Sequence, residues 1–139
     1  MQSYDVVIVG GGMVGLVLAL ALKDSDLSVA LIDAEIGNKP LGEQPELRVS
    51  ALSLASENIL RNLGVWDDID ASRSLAYQHM KVWDKDSFGK IEFSKQQVNQ
   101  SQLGHIIENR AVQGSLWRKA QVASHIEILA PRKIAKLVF

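Results

Sequence analysis

The chain has 139 residues, the size of one domain, and a chain of that length buries roughly two thirds of the surface that its unfolded form exposes. Its formal net charge is -1 at pH 7, from 15 Lys and Arg against 16 Asp and Glu, so the charge balance does not indicate a nucleic-acid partner. It contains no cysteine, which excludes a disulfide framework, a thiolate nucleophile and a cysteine metal site.

The N-terminal part of the chain carries its most specific pattern. Asp5–Val9 is a short, largely β-branched run that ends at a glycine, which predicts a buried parallel strand. Gly10–Gly15 then spells G-x-G-x-x-G, and an apolar helix is predicted over about Met13–Asp24. A second strand is predicted over Ser28–Ile32, directly before the acidic residue Asp33. The order strand, glycine turn, helix, strand and acid predicts a dinucleotide-binding site.

Each residue type in this pattern has a physical reason. Gly10 lets the chain turn sharply out of the strand, Gly12 lets a pyrophosphate approach the backbone, and Gly15 lets the helix lie close to the strand. The start of the helix offers free N–H groups and a partial positive charge to the phosphates. Asp33 would accept a hydrogen bond from a ribose hydroxyl, with Glu35 as the alternative. The candidate cofactor-binding residues of this region are therefore Gly10, Gly12, Met13, Val14, Gly15 and Asp33.

The uncharged run Val6–Leu22 raises the alternative of a signal peptide or a membrane segment. No basic region precedes it, Asp5 stands directly before it, and three consecutive glycines interrupt it. A buried strand followed by a buried helix accounts better for the run, which predicts a cytoplasmic protein.

A loop and then a helix are predicted after the second strand. Ile36–Leu47 holds two glycines, two prolines and mixed charges, as loops do. Arg48–Leu52 leads into a helix for which Ser50 is the candidate N-cap and Gly64 the C-terminal stop. The predicted buried face of this helix comprises Leu52, Ala55, Ile59 and Leu63.

Arg48 has two readings. A fold of this type places the junction between the loop and the helix near the nucleotide, whereas composition alone favours an exposed surface arginine. The next segment, Val65–Ser74, is predicted to be a short helical connector that Trp66 anchors in the core.

The middle of the chain predicts a small antiparallel insertion over residues 77–94. Met80–Trp83 and Lys90–Phe93 alternate with period two and flank a segment rich in turn formers. Asp84 and Asp86 stand in that turn with a lysine between them, which favours solvated carboxylates over a metal site.

The last part of the chain predicts an extended segment, a helix and two further strands. Gly104–Glu108 is an extended segment, and Asn109 is the candidate cap of a helix that runs to about Ala123. Ile126–Leu129 is the candidate third parallel strand, and Ile134–Phe139 begins another strand. A chain that ends inside an apolar run is expected to be cut short. The predicted buried face of the helix comprises Val112, Leu116 and Ala120.

No residue stands in a sequence pattern that is typical of a catalytic group. His79, His105 and His125 are scattered without ligand spacing, no serine stands in a nucleophile elbow, and no carboxylate pair indicates acid–base chemistry. The sequence therefore predicts a cofactor site without catalytic residues or a metal.

Four segments resemble the ubiquinone-biosynthesis flavin hydroxylases, of the 2-octaprenylphenol hydroxylase type. The glycine motif is common to many flavoproteins, whereas the last two of the four segments are more specific. The segments are Asp5–Leu16, Leu47–Ala51, Val82–Gly89 and Leu103–Asn109.

This resemblance implies an α/β fold, namely a Rossmann-like parallel sheet with crossover helices and a small antiparallel β insertion. It implies a monooxygenase that binds FAD, uses NAD(P)H as reductant and O2 as oxidant, and hydroxylates a polyprenylphenol. Arg48 then matches an arginine near the ribityl and pyrophosphate groups of FAD, and Asn109 matches a position that faces FAD. Expected partners are the substrate, and either the surface of the inner membrane or a ubiquinone-biosynthesis complex.

The chain departs from this family in length. Two later motifs are missing, an Asp-Gly segment that contacts FAD and the nicotinamide and a Gly-Asp segment that holds the ribityl chain. Residues 1–139 are therefore expected to be the N-terminal part of an FAD-binding domain and to be inactive by themselves. The alternatives are an NAD(P)-dependent Rossmann dehydrogenase and a non-catalytic nucleotide-binding fragment.

Overall fold

A parallel sheet of three strands forms the base of the molecule in the computed structural model, which describes residues 2–69 and 71–136. The strands are β1 (Val6–Val9), β2 (Val29–Ile32) and β8 (Ile126–Leu129), in the order β1–β2–β8. Both pairings are parallel, with Val6 opposite Val29 and Val29 opposite Ile126. The predicted parallel α/β sheet is therefore confirmed, and the strands predicted at Asp5–Val9, Ser28–Ile32 and Ile126–Leu129 are in place.

Two helices pack together to form most of the core. Helix α1 (Met13–Ala21) buries Leu16 completely, and it ends before the predicted Asp24 because residues 22–26 form turns. Helix α3 (Asn109–Gln121) buries the face predicted from its spacing. The core cluster that these helices share with β2 includes Leu16, Ala19, Leu20, Val29, Leu31, Val112, Leu116, Trp117 and Ala120.

A second, antiparallel sheet contains a strand where a helix was predicted. Strand β3 (Val49–Ser53) pairs with β7 (Gly104–Glu108), which pairs in turn with β4 (Ser74–Tyr77). The prediction that Ser50 caps a helix is therefore wrong. Helix α2 begins later, at Leu54–Asn62, and Ser53 is its N-cap, accepting a 3.3 Å hydrogen bond from the Ser56 amide.

The buried face of α2 differs from the predicted one. Leu60 is buried, whereas Ile59 is half-exposed and Ala55 is exposed, since the later start of the helix leaves Leu52 in the preceding strand. The other buried residue is Glu57, whose carboxylate is hydrogen-bonded by its neighbours. The predicted stop at Gly64 is confirmed.

Gly64 ends α2 in a left-handed conformation, with φ +65°. Its amide donates to the carbonyl of Arg61, and the next amide, of Val65, donates to the carbonyl of Leu60. This pair of bonds is the Schellman arrangement, in which glycine avoids the strain of a positive φ.

The connector after α2 consists of two 3-10 turns rather than a helix. They comprise Trp66–Asp68 and Ala71–Arg73, on either side of the one internal residue that the structure does not describe. Trp66 packs partly buried against the core, as the sequence predicts.

The predicted hairpin is present as β5 (His79–Trp83) and β6 (Lys90–Ser94), an antiparallel pair. Residues opposite each other point to the same face of the hairpin. Met80 pairs with Phe93, and Val82 pairs with Ile91. One face of the hairpin is therefore apolar, as its period-two alternation predicts.

Three further predictions differ from the structure. They concern the start of α3, its end, and the last residues of the chain. The predicted cap Asn109 is the first helical residue, and Glu108 holds the N-cap position, because β7 runs directly into the helix. The helix stops at Gln121 rather than about Ala123. Residues 132–136 form no strand, and the rest of the strand predicted over Ile134–Phe139 lies outside the described residues.

Neither a membrane-spanning helix nor a cluster of possible metal ligands occurs in residues 2–69 and 71–136. No helix in these ranges is long and apolar enough to cross a membrane. Within the same ranges, no three His, Asp or Glu side chains are grouped so that they could hold a metal ion.

Candidate functional site

A cleft of about 560 Å³ opens where β1 and β2 end, between the glycine turn and the start of α3. It gathers residues from four separate parts of the chain, because both parallel strands deliver their following loops to the same edge of the sheet. Five of the residues predicted for cofactor binding line it: Gly12, Met13, Asp33, Arg48 and Asn109. The other lining residues are Ala34, Glu35, Ile36, Gly37, Lys39, Glu46, Arg110 and Gln113.

The remaining predicted residues lie beside the cleft rather than in it. Gly10 has φ +109°, the left-handed region that a turn directly after a strand requires of glycine. A Cβ atom on Gly15 would overlap the carbonyl oxygen of Gly10, so the absent side chain lets α1 begin close against the turn. Val14 is 83% exposed and lines an apolar groove between the helices with Ile59 and Leu116.

The start of α1 faces the cleft with an open backbone. Gly12 is the N-cap, with φ −74° and ψ 180°, and a Cβ atom built on it would meet nothing within 4 Å. The amides of the first helical turn have no acceptor within the helix, so they are available to an anion.

Asp33 occupies the end of β2 and holds two backbone amides. Its Oδ2 accepts from the Gly11 amide at 2.5 Å, and its Oδ1 accepts from the Glu35 amide at 2.7 Å. Each carboxylate oxygen has a second lone pair, so Asp33 can bind these amides and a ligand hydroxyl together.

Glu35, the alternative acid, also lines the cleft, where it forms an ion pair with Lys39. The hydrogen bond from the Lys39 ammonium, followed by its charge, holds the pKa of the Glu35 carboxyl below its ordinary value. Glu35 is therefore charged at neutral pH, and its charge is offset by Lys39.

Arg48 and Asn109 are 61 positions apart in the sequence and meet at one end of the β3–β7 ladder. The Asn109 amide donates to the Arg48 carbonyl at 3.0 Å, and the Asn109 Oδ1 accepts from the Ser50 hydroxyl at 2.6 Å. The Asn109 side chain therefore has its NH2 group left to donate to a ligand. Arg48 is exposed, and no carboxylate in the described residues lies within ion-pair distance of it.

Two residues of α3 that line the cleft were missed by the sequence analysis. Arg110 forms a 2.6 Å ion pair with Glu46, which ties the loop before β3 to the helix. The Gln113 Nε2 donates to the carbonyl oxygen of Gly11 at 2.8 Å. The available signal for Gln113 was its position four residues after Asn109, which places both on one face of the helix.

The three histidines lie away from the cleft. The His105 Nδ1 lies 3.0 Å from Glu57 Oε2, and the His125 Nε2 lies 3.0 Å from the carbonyl oxygen of Ala19. His79 belongs to the hairpin. None of the three is among the described residues that line the cleft.

Comparison with known proteins identifies what the chain is similar to. A family model described as "FAD binding domain" matches residues 3–127. The chain is 33% identical to 3-demethoxyubiquinol 3-hydroxylase of Escherichia coli (strain K12) over 137 residues, which are 98% of this chain and 35% of that protein. It is 39% identical to the mitochondrial ubiquinone biosynthesis monooxygenase COQ6 of Xenopus tropicalis, over 91% of this chain and 28% of that protein. The chain therefore spans about a third of the length of these curated relatives.

Solved structures share the fold. The match to a crystal structure of a mutant of PqsL from P. aeruginosa covers 92% of this chain and 33% of the PqsL chain, with a TM-score of 0.66 and 15% identity. The match to the crystal structure of p-nitrophenol 4-monooxygenase PnpA from Pseudomonas putida DLL-E4 covers 88% of this chain and 30% of the PnpA chain, with a TM-score of 0.59 and 21% identity. The fold of this chain is thus that of the corresponding part of these two proteins.

Proposed function

Because this chain belongs to the FAD binding domain family, we propose that its cleft holds the ADP half of FAD. The observation that supports this most directly is the position of Asp33, which holds the glycine turn at its Gly11 amide and also lines the cleft. One acid thereby fixes the phosphate-binding turn and stands where the second strand ends, the usual position of the ribose ligand.

The residues present fit this half of the cofactor in size and in chemistry. Gly12 leaves open space at the start of α1, where free amides and the helix dipole favour a pyrophosphate. Asp33 has lone pairs for the ribose hydroxyls. The guanidinium of Arg48, which has no carboxylate partner among the described residues, and the NH2 group of Asn109 suit the phosphate and ribityl groups.

We further propose that the parent protein is a flavin-dependent hydroxylase of a polyprenylphenol on the route to ubiquinone, with NAD(P)H and O2 as co-substrates. The names of the relatives support this, since one is a 3-demethoxyubiquinol 3-hydroxylase and another a ubiquinone biosynthesis monooxygenase. Bound flavin would supply the redox chemistry, and the contribution of this chain is to bind and orient the adenosine end. A polyprenyl substrate would bring the parent protein to a membrane surface or into a ubiquinone-biosynthesis complex.

Titration of the chain with FAD, ADP and NADH tests the proposed site. We expect FAD and ADP to bind, and Asp33→Ala to weaken both about five- to tenfold, the effect of roughly 1 kcal/mol from a lost hydrogen bond. Glu35→Ala should change the affinity less, because Lys39 already engages that carboxylate. Asp84→Ala, in the turn of the hairpin, is the control and should leave affinity unchanged.

Two results would contradict the proposal. If NADH bound and FAD did not, the chain would be a nicotinamide-binding domain of the dehydrogenase type. If Glu35→Ala weakened FAD binding more than Asp33→Ala, the ribose would be held by Glu35.

A further inference from the structure

The residue Gly11 is held from both sides by side chains of two different elements. Its amide donates to Asp33 Oδ2 at 2.5 Å, and its carbonyl oxygen accepts from Gln113 Nε2 at 2.8 Å. Asp33 follows β2, whereas Gln113 lies in the second turn of α3, 102 positions away from Gly11. Gly11 is buried, although its neighbour Gly12 is exposed.

Gln113 thereby determines the direction of a second group, the amide of Gly12. The Gly11 carbonyl and the Gly12 N–H belong to one planar trans peptide, so they point in opposite directions. A donor that fixes the carbonyl oxygen therefore also fixes the N–H. Glycine has no side chain to hinder rotation of this peptide, so an external bond is needed to hold it in one orientation.

Trp117 closes the same arrangement one turn further along α3. A Cβ atom on Gly11 would lie 2.8 Å from Trp117 Cζ3, and one on Gly37 would overlap the same ring. Trp117 is 2% exposed, so the ring is a fixed surface under the turn. Gln113 and Trp117 thus present one face of α3 to Gly11. Gln113 donates a hydrogen bond to Gly11, and Trp117 packs against it.

We propose that Gln113 is a positioning residue for dinucleotide binding, which orients the Gly11–Gly12 peptide so that the Gly12 N–H is presented to the pyrophosphate. The inference rests on the proposed function, because it assigns the partner of that amide to the phosphates of FAD. It extends the site to a residue of α3 that need not touch the phosphates itself.

The test uses the whole 139-residue chain and the substitution Gln113→Met, which keeps the length of the side chain and removes its donor. We expect ADP and FAD to bind about five- to tenfold more weakly, as for the loss of one hydrogen bond. The affinity for adenosine, which has no phosphates, should change less than twofold. Gln121→Met, at the exposed last residue of the same helix, is the matched control and should behave as the wild type.

A spectroscopic reading separates positioning from a general loss of structure. With ¹⁵N-glycine labelling, the Gly12 amide resonance of the wild type should shift when ADP saturates the chain, and that shift should be much smaller in Gln113→Met. If this variant does not fold, Gln113→Asn provides the same test, because its shorter amide falls one methylene short of the Gly11 carbonyl.

The outcomes distinguish the two proposals. A wild-type chain that binds neither ADP nor FAD rejects the proposed function and this inference with it. A wild-type chain that binds both, with a Gln113→Met variant of equal affinity and equal Gly12 shift, rejects the inference alone. An equal loss of adenosine and ADP affinity also rejects it, since the role of Gln113 would then be structural.

Discussion

Gly12 and Gly15 lie three residues apart in one turn, and a side chain would meet different surroundings at each. At Gly12 the space around a built Cβ atom is empty, and the backbone conformation is one that any residue adopts. At Gly15 a Cβ atom would overlap the carbonyl oxygen of Gly10. The first glycine therefore leaves room for a ligand, whereas the second allows the fold itself.

This contrast predicts opposite effects of two substitutions. Gly12→Val should leave the thermal midpoint close to that of the wild type and abolish FAD binding, because the side chain would stand where the pyrophosphate approaches. Gly15→Ala should destabilise the chain by about 3 kcal/mol, the upper range for overpacking, because the overlap is with backbone. Thermal unfolding and FAD titration measure the two effects.

The control for these substitutions is Gly42→Val, in a loop where a Cβ atom would come no closer than 3.8 Å to its nearest neighbour. It should change neither quantity. A destabilised Gly12→Val variant would show that the turn needs glycine at that position for its own structure.

At the scale of elements, the starts of β1 and β2 are joined by reciprocal hydrogen bonds between Asp5 and Ser28. Asp5 Oδ2 accepts from the Ser28 hydroxyl at 2.6 Å and from the Ser28 amide at 2.8 Å, while the Asp5 amide donates to Ser28. The hydrogen bond from the Ser28 side chain, followed by that from its backbone, lowers the pKa of the Asp5 carboxyl from its ordinary value.

A lowered pKa in the folded state predicts that this link depends on pH. The Asp5 carboxylate stabilises the folded chain fully above the ordinary carboxyl pKa of about 4, and the contribution is lost as pH falls below that value and through the lowered pKa of the folded state. Asp5→Ala should therefore lower the midpoint of urea unfolding at pH 7 and change it little at pH 2. Asp24→Ala, in the exposed turn after α1, is the control. An equal deficit at both pH values would contradict a role for the charged form.

The elements that could be predicted from the sequence are those whose signal is local. The strand, glycine turn, helix and strand around Gly10–Gly15 follow one another directly, and α3 shows its buried face at helical spacing. Strand β3 was missed because its partner, β7, lies about 55 positions away and its own residues, Val49–Ser53, also suit a helix start. Gln113 was missed for the same reason, because its partner Gly11 is distant in sequence and comes close only in the complete fold.

At the scale of the whole molecule, Arg73 joins three segments through a buried ion pair. Its guanidinium lies 3.2 Å from Glu108 Oε1 and also donates to the carbonyl of Gly42. The two charged side chains are only 13% and 4% exposed. In the described part of the chain no group hydrogen-bonds to the second carboxylate oxygen, Oε2, so Glu108 depends on Arg73.

Removing one member of this pair should destabilise the chain strongly. Arg73→Met leaves a buried, uncompensated carboxylate, for which a loss of about 3 kcal/mol or more in the free energy of unfolding is expected. The double variant with Glu108→Leu should regain most of that loss, since no buried charge remains. Denaturant unfolding of both variants measures this difference.

The matched control is the exposed pair Lys81–Glu92 on the hairpin, with a separation of 3.1 Å and both side chains more than half exposed. Lys81→Met should change the stability little, because solvent screens that pair. A double variant as unstable as Arg73→Met would show that shape, rather than charge, matters at Arg73.

The placement of Trp117 under the glycine turn also makes it an internal optical probe. Its ring packs against Gly11 and Gly37, and Gly37 lines the cleft, whereas Trp83 is 68% exposed on the hairpin. Tryptophan emission overlaps the absorption of oxidised flavin, so a flavin nucleotide bound in this cleft would quench the fluorescence of the buried indole by energy transfer. In a Trp83→Phe background, the blue-shifted emission of the remaining indoles would then report occupancy of the cleft without any added label.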